Sequence, residues 1–175
     1  MKNVFLTGEI NIGKSTIIKK LLAGFLGSLA GFLTLPYYSN NSVKMEKIGY
    51  IFRDINDDHE IRPNFFISLI NSEGTMVPVV ETFETYGVKV LKSSLEKRPN
   101  LLIMDELGVF ESKAFSFQRY VELCLSSKIP VLGVLKAKKS PFLDAIRSRN
   151  DVVELEVTEE NRDYLPKTIQ GILNL

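Results

Sequence analysis

Near its start the chain runs Gly8-Glu9-Ile10-Asn11-Ile12-Gly13-Lys14-Ser15, with Thr16 next. A glycine, four free positions and then Gly-Lys-Ser follow the apolar run Val4-Phe5-Leu6. The motif leads into Ile17, Ile18, Leu21 and Leu22 at helical spacing. A strand, a glycine-bounded loop and a helix in this order build a phosphate-binding loop. Gly8 and Gly13 permit backbone angles closed to other residues. The loop can then turn its N–H groups inward as an anion nest, with the positive end of the helix aimed at the same point. Lys14 can reach the β- and γ-phosphates, and the Ser15 hydroxyl suits magnesium. Residues 8–16 are therefore expected to hold a nucleoside triphosphate, with Ser15 as a metal ligand.

A second feature completes the metal site. Leu101-Leu102-Ile103-Met104 is continuously apolar and ends in Asp105-Glu106. Such a run suits a parallel strand buried on both faces. Its end lies where ligands bind in open α/β sheets. Asp105 is expected to hold magnesium beside Ser15. Glu106 is expected to orient a water for attack on the γ-phosphate, a reaction governed by positioning and charge. A cation must balance charge on the far side of that phosphate. Arg147 is the preferred candidate, with Arg149 beside it and Lys136, Lys138 and Lys139 just before them.

The rest of the chain alternates strands and helices. Strands are expected at Leu29–Leu35, Lys47–Phe52, 64–69, Thr75–Val80, Val131–Leu135 and Val152–Val157. Helices are expected at Thr85–Lys97, Phe115–Ser126 and Pro141–Arg149. A last helix, capped by Thr158-Glu159-Glu160-Asn161, is expected to run to about Leu173. The pattern predicts an α/β fold with a mainly parallel sheet covered on both faces and a small antiparallel insertion around the turn Asn71–Gly74. The length of 175 residues fits one domain, residues 1–175.

A net charge of +1 gives no electrostatic case for nucleic acid or an anionic membrane surface. The uncharged stretch from Leu21 to Val43 is broken by Gly24, Gly27, Gly31 and Pro36. It reads as a helix end plus a strand, not a span. One cysteine, Cys124, excludes an intramolecular disulfide and fits a reducing cytoplasm. Cys124 reads as core, and His59 as belonging to a solvated loop. A monomer is the default expectation.

With both motifs placed, the chain resembles the small P-loop nucleoside-triphosphatases of thermophilic bacteria and archaea, whose vertebrate relative is called cancer-related nucleoside-triphosphatase. The likeness rests on Leu6-Thr7-Gly8-Glu9, Gly31-Phe32-Leu33-Thr34, Ile48-Gly49-Tyr50, Tyr86-Gly87-Val88, Asp105-Glu106-Leu107-Gly108 and Thr158-Glu159-Glu160-Asn161-Arg162-Asp163. It implies a RecA-like sheet with an added strand between the loop-bearing strand and the Asp105 strand. It also implies magnesium-dependent hydrolysis of ATP, GTP and other triphosphates to diphosphate and phosphate. The chain departs from the family at Val134, where a threonine is usual, and at Ser140 before Pro141. A small-molecule or nucleotide kinase would use the same loop, with the Lys136–Arg147 cluster clamping an acceptor. A nucleotide-dependent switch would use it with slow hydrolysis.

Overall fold

A computed structural model describes residues 2–39, 45–57 and 65–175. Among these residues eight strands form one sheet: β1 (Asn3–Thr7), β2 (Leu29–Tyr38), β3 (Lys47–Asp54), β4 (Phe66–Ile70), β5 (Met76–Pro78), β6 (Leu101–Leu107), β7 (Val131–Leu135) and β8 (Val152–Glu156). Their order across the sheet is β5-β4-β3-β2-β6-β7-β1-β8. β2, β6, β7, β1 and β8 pair in parallel, whereas β3, β4 and β5 extend the sheet antiparallel beyond β2. The expected antiparallel insertion is thus an extension of the main sheet. β7 is the added strand between β1 and β6.

Alternation along the central strands assigns side chains to two cores. Phe5, Leu102, Met104, Val131 and Leu135 join one cluster with Leu91, Phe117, Val121, Leu143 and Ile146. These come from α3 (Val88–Lys97), α4 (Phe115–Leu125) and α5 (Pro141–Arg147). Val4, Leu6, Leu101, Ile103, Leu132 and Val134 join the other with Ile17, Ile18, Leu21, Leu165, Ile169 and Leu173. These helices are α1 (Lys14–Ala23) and α6 (Leu165–Leu173). Each central strand is buried on both sides, which is why it reads as an unbroken apolar run.

Several boundaries differ from expectation. β5 ends at Pro78, and Val80 already starts α2 (Val80–Thr82). A π-helical turn at Phe83–Gly87 joins α2 to α3, so the helical segment begins before Thr85. Its Phe83 packs with Phe52 and Phe117. The Thr158–Asn161 cap closes a turn: the Thr158 N–H donates to Asn161 Oδ1 at 2.9 Å and the Asn161 N–H to Thr158 Oγ1 at 3.3 Å. α6 starts later, at Leu165-Pro166, where a proline lacks only an N–H that the first turn would leave unpaired. The expected helix from Pro141 ends at Arg147 and is opened by Ser140, whose hydroxyl accepts from the Leu143 N–H at 3.2 Å. His59 and the first residue of the expected 64–69 strand lie outside the described residues.

Among the described residues no helix is long and apolar enough to cross a membrane. The described part of the suspect stretch contains the end of α1 and all of β2, with a short connection between them. Cys124 is fully buried, and that burial pushes its thiol up to about 12, as befits a core side chain.

Candidate active site

The site gathers at the C-terminal ends of three adjacent parallel strands. The loop 8–13 follows β1, Asp105 and Glu106 lie near the end of β6, and Lys136 follows β7. Pairing of Leu6 with Val134 and of Met104 with Gly133 brings those ends level.

The loop has the backbone its glycines foretold. Gly8 has φ 127°, Asn11 65° and Gly13 112°. Nothing crowds the space beside Gly13, so its backbone angle alone requires glycine there. Helix α1 begins at Lys14, with the Ile17 N–H donating to the Gly13 carbonyl at 2.9 Å. The Lys14 ammonium donates to the Gly8 carbonyl at 2.9 Å and to the Glu9 carbonyl at 2.6 Å. Partial burial pulls its pKa below the ordinary lysine range, while Glu106 and Asp105 pull the other way. Ile10, at the loop tip, is exposed.

Asp105 is 7% exposed and lies beside the Ser15 hydroxyl. Burial raises its pKa to about 6, against the opposing effects of Ser15, Lys14 and Lys19. The two oxygens expected to ligate metal are therefore neighbours. Glu106 follows Asp105 through a cis peptide bond. Its N–H donates to Thr34 Oγ1 at 3.3 Å, and its carboxylate pairs with the Lys136 ammonium at 2.7 Å.

Arg147, expected to face the γ-phosphate, has its guanidinium bound by neighbouring groups. Its Nη2 donates to the Lys136 carbonyl at 2.7 Å and its Nη1 to the Lys138 carbonyl at 3.1 Å. Asp144 and Glu154 take further bonds at 3.2 and 3.1 Å. The physical reason is a tertiary neighbour: Glu154 on β8 lies within reach of the end of α5 and draws the guanidinium. Arg149 is likewise paired, with Glu122 at 2.6 Å and Asp151 at 2.8 Å. Of the basic cluster, Lys136 is the member joined to Glu106.

A cleft beside Glu106 and Lys136 is lined by Thr34, Tyr50, Ile67, Gly108, Phe110 and Glu111. Sequence reading gave none of these six a site role. Thr34 left a signal, as a hydroxyl in an apolar strand. Glu111 left none, because Glu111-Ser112-Lys113 reads as a solvated turn. Glu111 is in fact 2% exposed, and one carboxylate oxygen accepts from the Gly108 N–H at 3.1 Å. Burial raises its pKa to about 7. A folded-state value above the ordinary 4.5 means that ionisation opposes folding. The penalty is absent below about pH 4, grows between there and 7, and is complete above 7. Glu111→Gln should therefore raise stability at pH 8 by roughly 2–3 kcal/mol and change little at pH 4. Urea unfolding at both pH values checks this, and a loss of stability at pH 8 would refute it.

The fold and the site together define the class of P-loop NTPases. Within that class, the chain belongs to the NTPase family whose model matches residues 3–170. Nucleoside-triphosphatase THEP1 of Thermotoga petrophila is 30% identical over 97% of this chain and 92% of its own length. Nucleoside-triphosphatase THEP1 of Methanosarcina barkeri is also 30% identical, over 97% and 95%. Two solved structures share the fold. THEP1 from Aquifex aeolicus superposes with a TM-score of 0.75 at 22% identity, with full coverage of both chains. A human cancer-related nucleoside triphosphatase superposes with a TM-score of 0.67 at 24% identity, covering 98% and 96%.

Proposed function

We propose that this protein hydrolyses nucleoside triphosphates with magnesium, using a water oriented by Glu106. The observation that carries the reading is the placement of Ser15 beside the buried Asp105, which brings the phosphate loop to the end of β6, with Glu106 next in the chain. Ser15 and Asp105 are hard oxygen donors of the kind magnesium takes, one carboxylate and one hydroxyl, with the rest left to phosphate and water. Bound there, the ion would neutralise charge on the phosphate oxygens.

The chain's own groups do the remainder. Loop N–H groups of residues 8–16 and the start of α1 hold the phosphates. On triphosphate binding Lys14 exchanges the Gly8 and Glu9 carbonyls for phosphate oxygens, a stronger charge-assisted contact. Glu106 accepts a hydrogen bond from the attacking water and aims it in line with the leaving oxygen. Because the loop grips phosphate and not base, ATP, GTP and other triphosphates all serve. The buried, unpaired Cys124 accords with a cytoplasmic protein.

The test is phosphate release from each common triphosphate with and without magnesium, with Lys14→Ala as the blank. Glu106→Gln should lower turnover about 10²-fold or more, within the range for loss of a positioned base. Unchanged turnover in that variant would remove Glu106 from this role.

A further inference from the structure

Lys136 is held more firmly than a lysine on a rim needs to be. Its N–H donates to the Leu107 carbonyl at 3.0 Å, tying the end of β7 to the end of β6. Its carbonyl accepts from Arg147 at 2.7 Å and from the Lys138 N–H at 2.7 Å. Arg147 is braced in turn by Asp144 and Glu154. The side chain then runs against Gly108, where an added Cβ would lie 3.1 Å from Lys136 Cδ. Its ammonium ends 5.1 Å from the Phe110 ring centroid, 5.9 Å from that of Tyr50 and 2.7 Å from Glu106 Oε1.

An exposed ion pair contributes little to stability. This pair is only 27% and 25% exposed, and one partner has its backbone fixed at both N–H and carbonyl. Such an arrangement is suited to orientation. A glutamate side chain turns about three bonds, and an ammonium on one oxygen removes most of that freedom. The other oxygen then has a restricted set of positions from which to accept from water.

We propose that Lys136 is a positioning residue, pinning Glu106 Oε1 so that the second carboxylate oxygen meets the attacking water. The inference rests on the reading of Glu106 given above. It makes Arg147 the clasp on the loop that carries Lys136, farther from the reacting atoms.

A double-mutant cycle on the full chain tests it, with kcat, KM and fluorescent-nucleotide Kd measured for each variant. Lys136→Met should lower kcat about tenfold, the scale of a small misplacement of a reacting group, with KM and Kd within about twofold. Lys136→Arg should recover most of the loss, and circular dichroism should report both variants as folded. In the Glu106→Gln background, Lys136→Met should change kcat by less than about twofold, since there is no carboxylate left to aim. A full tenfold loss in that background would mean that Lys136 acts on phosphate directly, and would overturn the proposal. An unchanged kcat in Lys136→Met alone would overturn it too, leaving Glu106 in its role. If Glu106→Gln itself kept wild-type turnover, the reading of Glu106 would fall and this proposal with it.

Discussion

Gly31→Ala should destabilise the protein by roughly 4 kcal/mol or more, enough to leave much of it unfolded at ordinary temperature. Gly31 lies inside β2 with φ 112°, an angle L side chains rarely adopt. A Cβ there would sit 2.0 Å from the Ile103 carbonyl oxygen and 2.8 Å from the Ile103 nitrogen. Those atoms belong to the parallel neighbour β6, fully buried and two residues before Asp105. Backbone in a close-packed sheet cannot move aside as a side-chain tip can. The Gly31 carbonyl also accepts from the Ile55 N–H at 3.1 Å, so β2 is held on its other edge as well, beside the start of its pairing with β3. Strand separation would break that contact as well. Urea unfolding followed by circular dichroism measures the effect, and a loss under about 1 kcal/mol would show that β2 and β6 can part without cost.

Gly31 also shows what a sequence can and cannot reveal. A glycine within an apolar run signals close backbone approach or a bulge, but not which strand approaches. The central strands were legible because burial on both faces leaves no polar position, as in Leu101–Met104. The helical stretch 80–97 was misread at its start because Val77, Val79 and Val80 favour a strand locally, while packing of Phe83 on Phe52 and Phe117 favours a helix. Local reading likewise placed the last helix at its best cap, Thr158, although the cap closes a turn and Pro166 sets the true start. In the site, the positions of the loop and of the two acids could be read because each follows directly on a strand that is legible in the sequence. The Lys136–Glu106 pair could not, because it depends on β7 lying beside β6. Nor could the engagement of Arg147, because Glu154 is brought to it by the sheet.

Asp105→Asn should make the metal-free protein more stable while removing nearly all of its turnover. Burial holds the Asp105 carboxyl at about 6, above the ordinary 3.8, despite the opposing effect of Ser15. A raised folded-state value means that the charge opposes folding above that pH. The penalty vanishes below about pH 4 and is complete above about 6. Asparagine has the same shape and no charge, and its carbonyl can keep the Ser15 hydroxyl. Melting in chelator should therefore show a gain of about 2 kcal/mol at pH 8 and almost none at pH 4. On the reading proposed above, the same carboxylate holds magnesium with Ser15, and asparagine does so poorly. Losing some 4 kcal/mol of charge stabilisation in the transition state corresponds to roughly a 10³-fold fall in kcat. A residue serving the fold alone would lose stability and activity together. Opposite signs identify a buried charge kept for the reaction it supports, against the interest of the fold. Wild-type turnover in the variant would take Asp105 out of the metal site, and a loss of stability at pH 8 would contradict the cost ascribed to its burial.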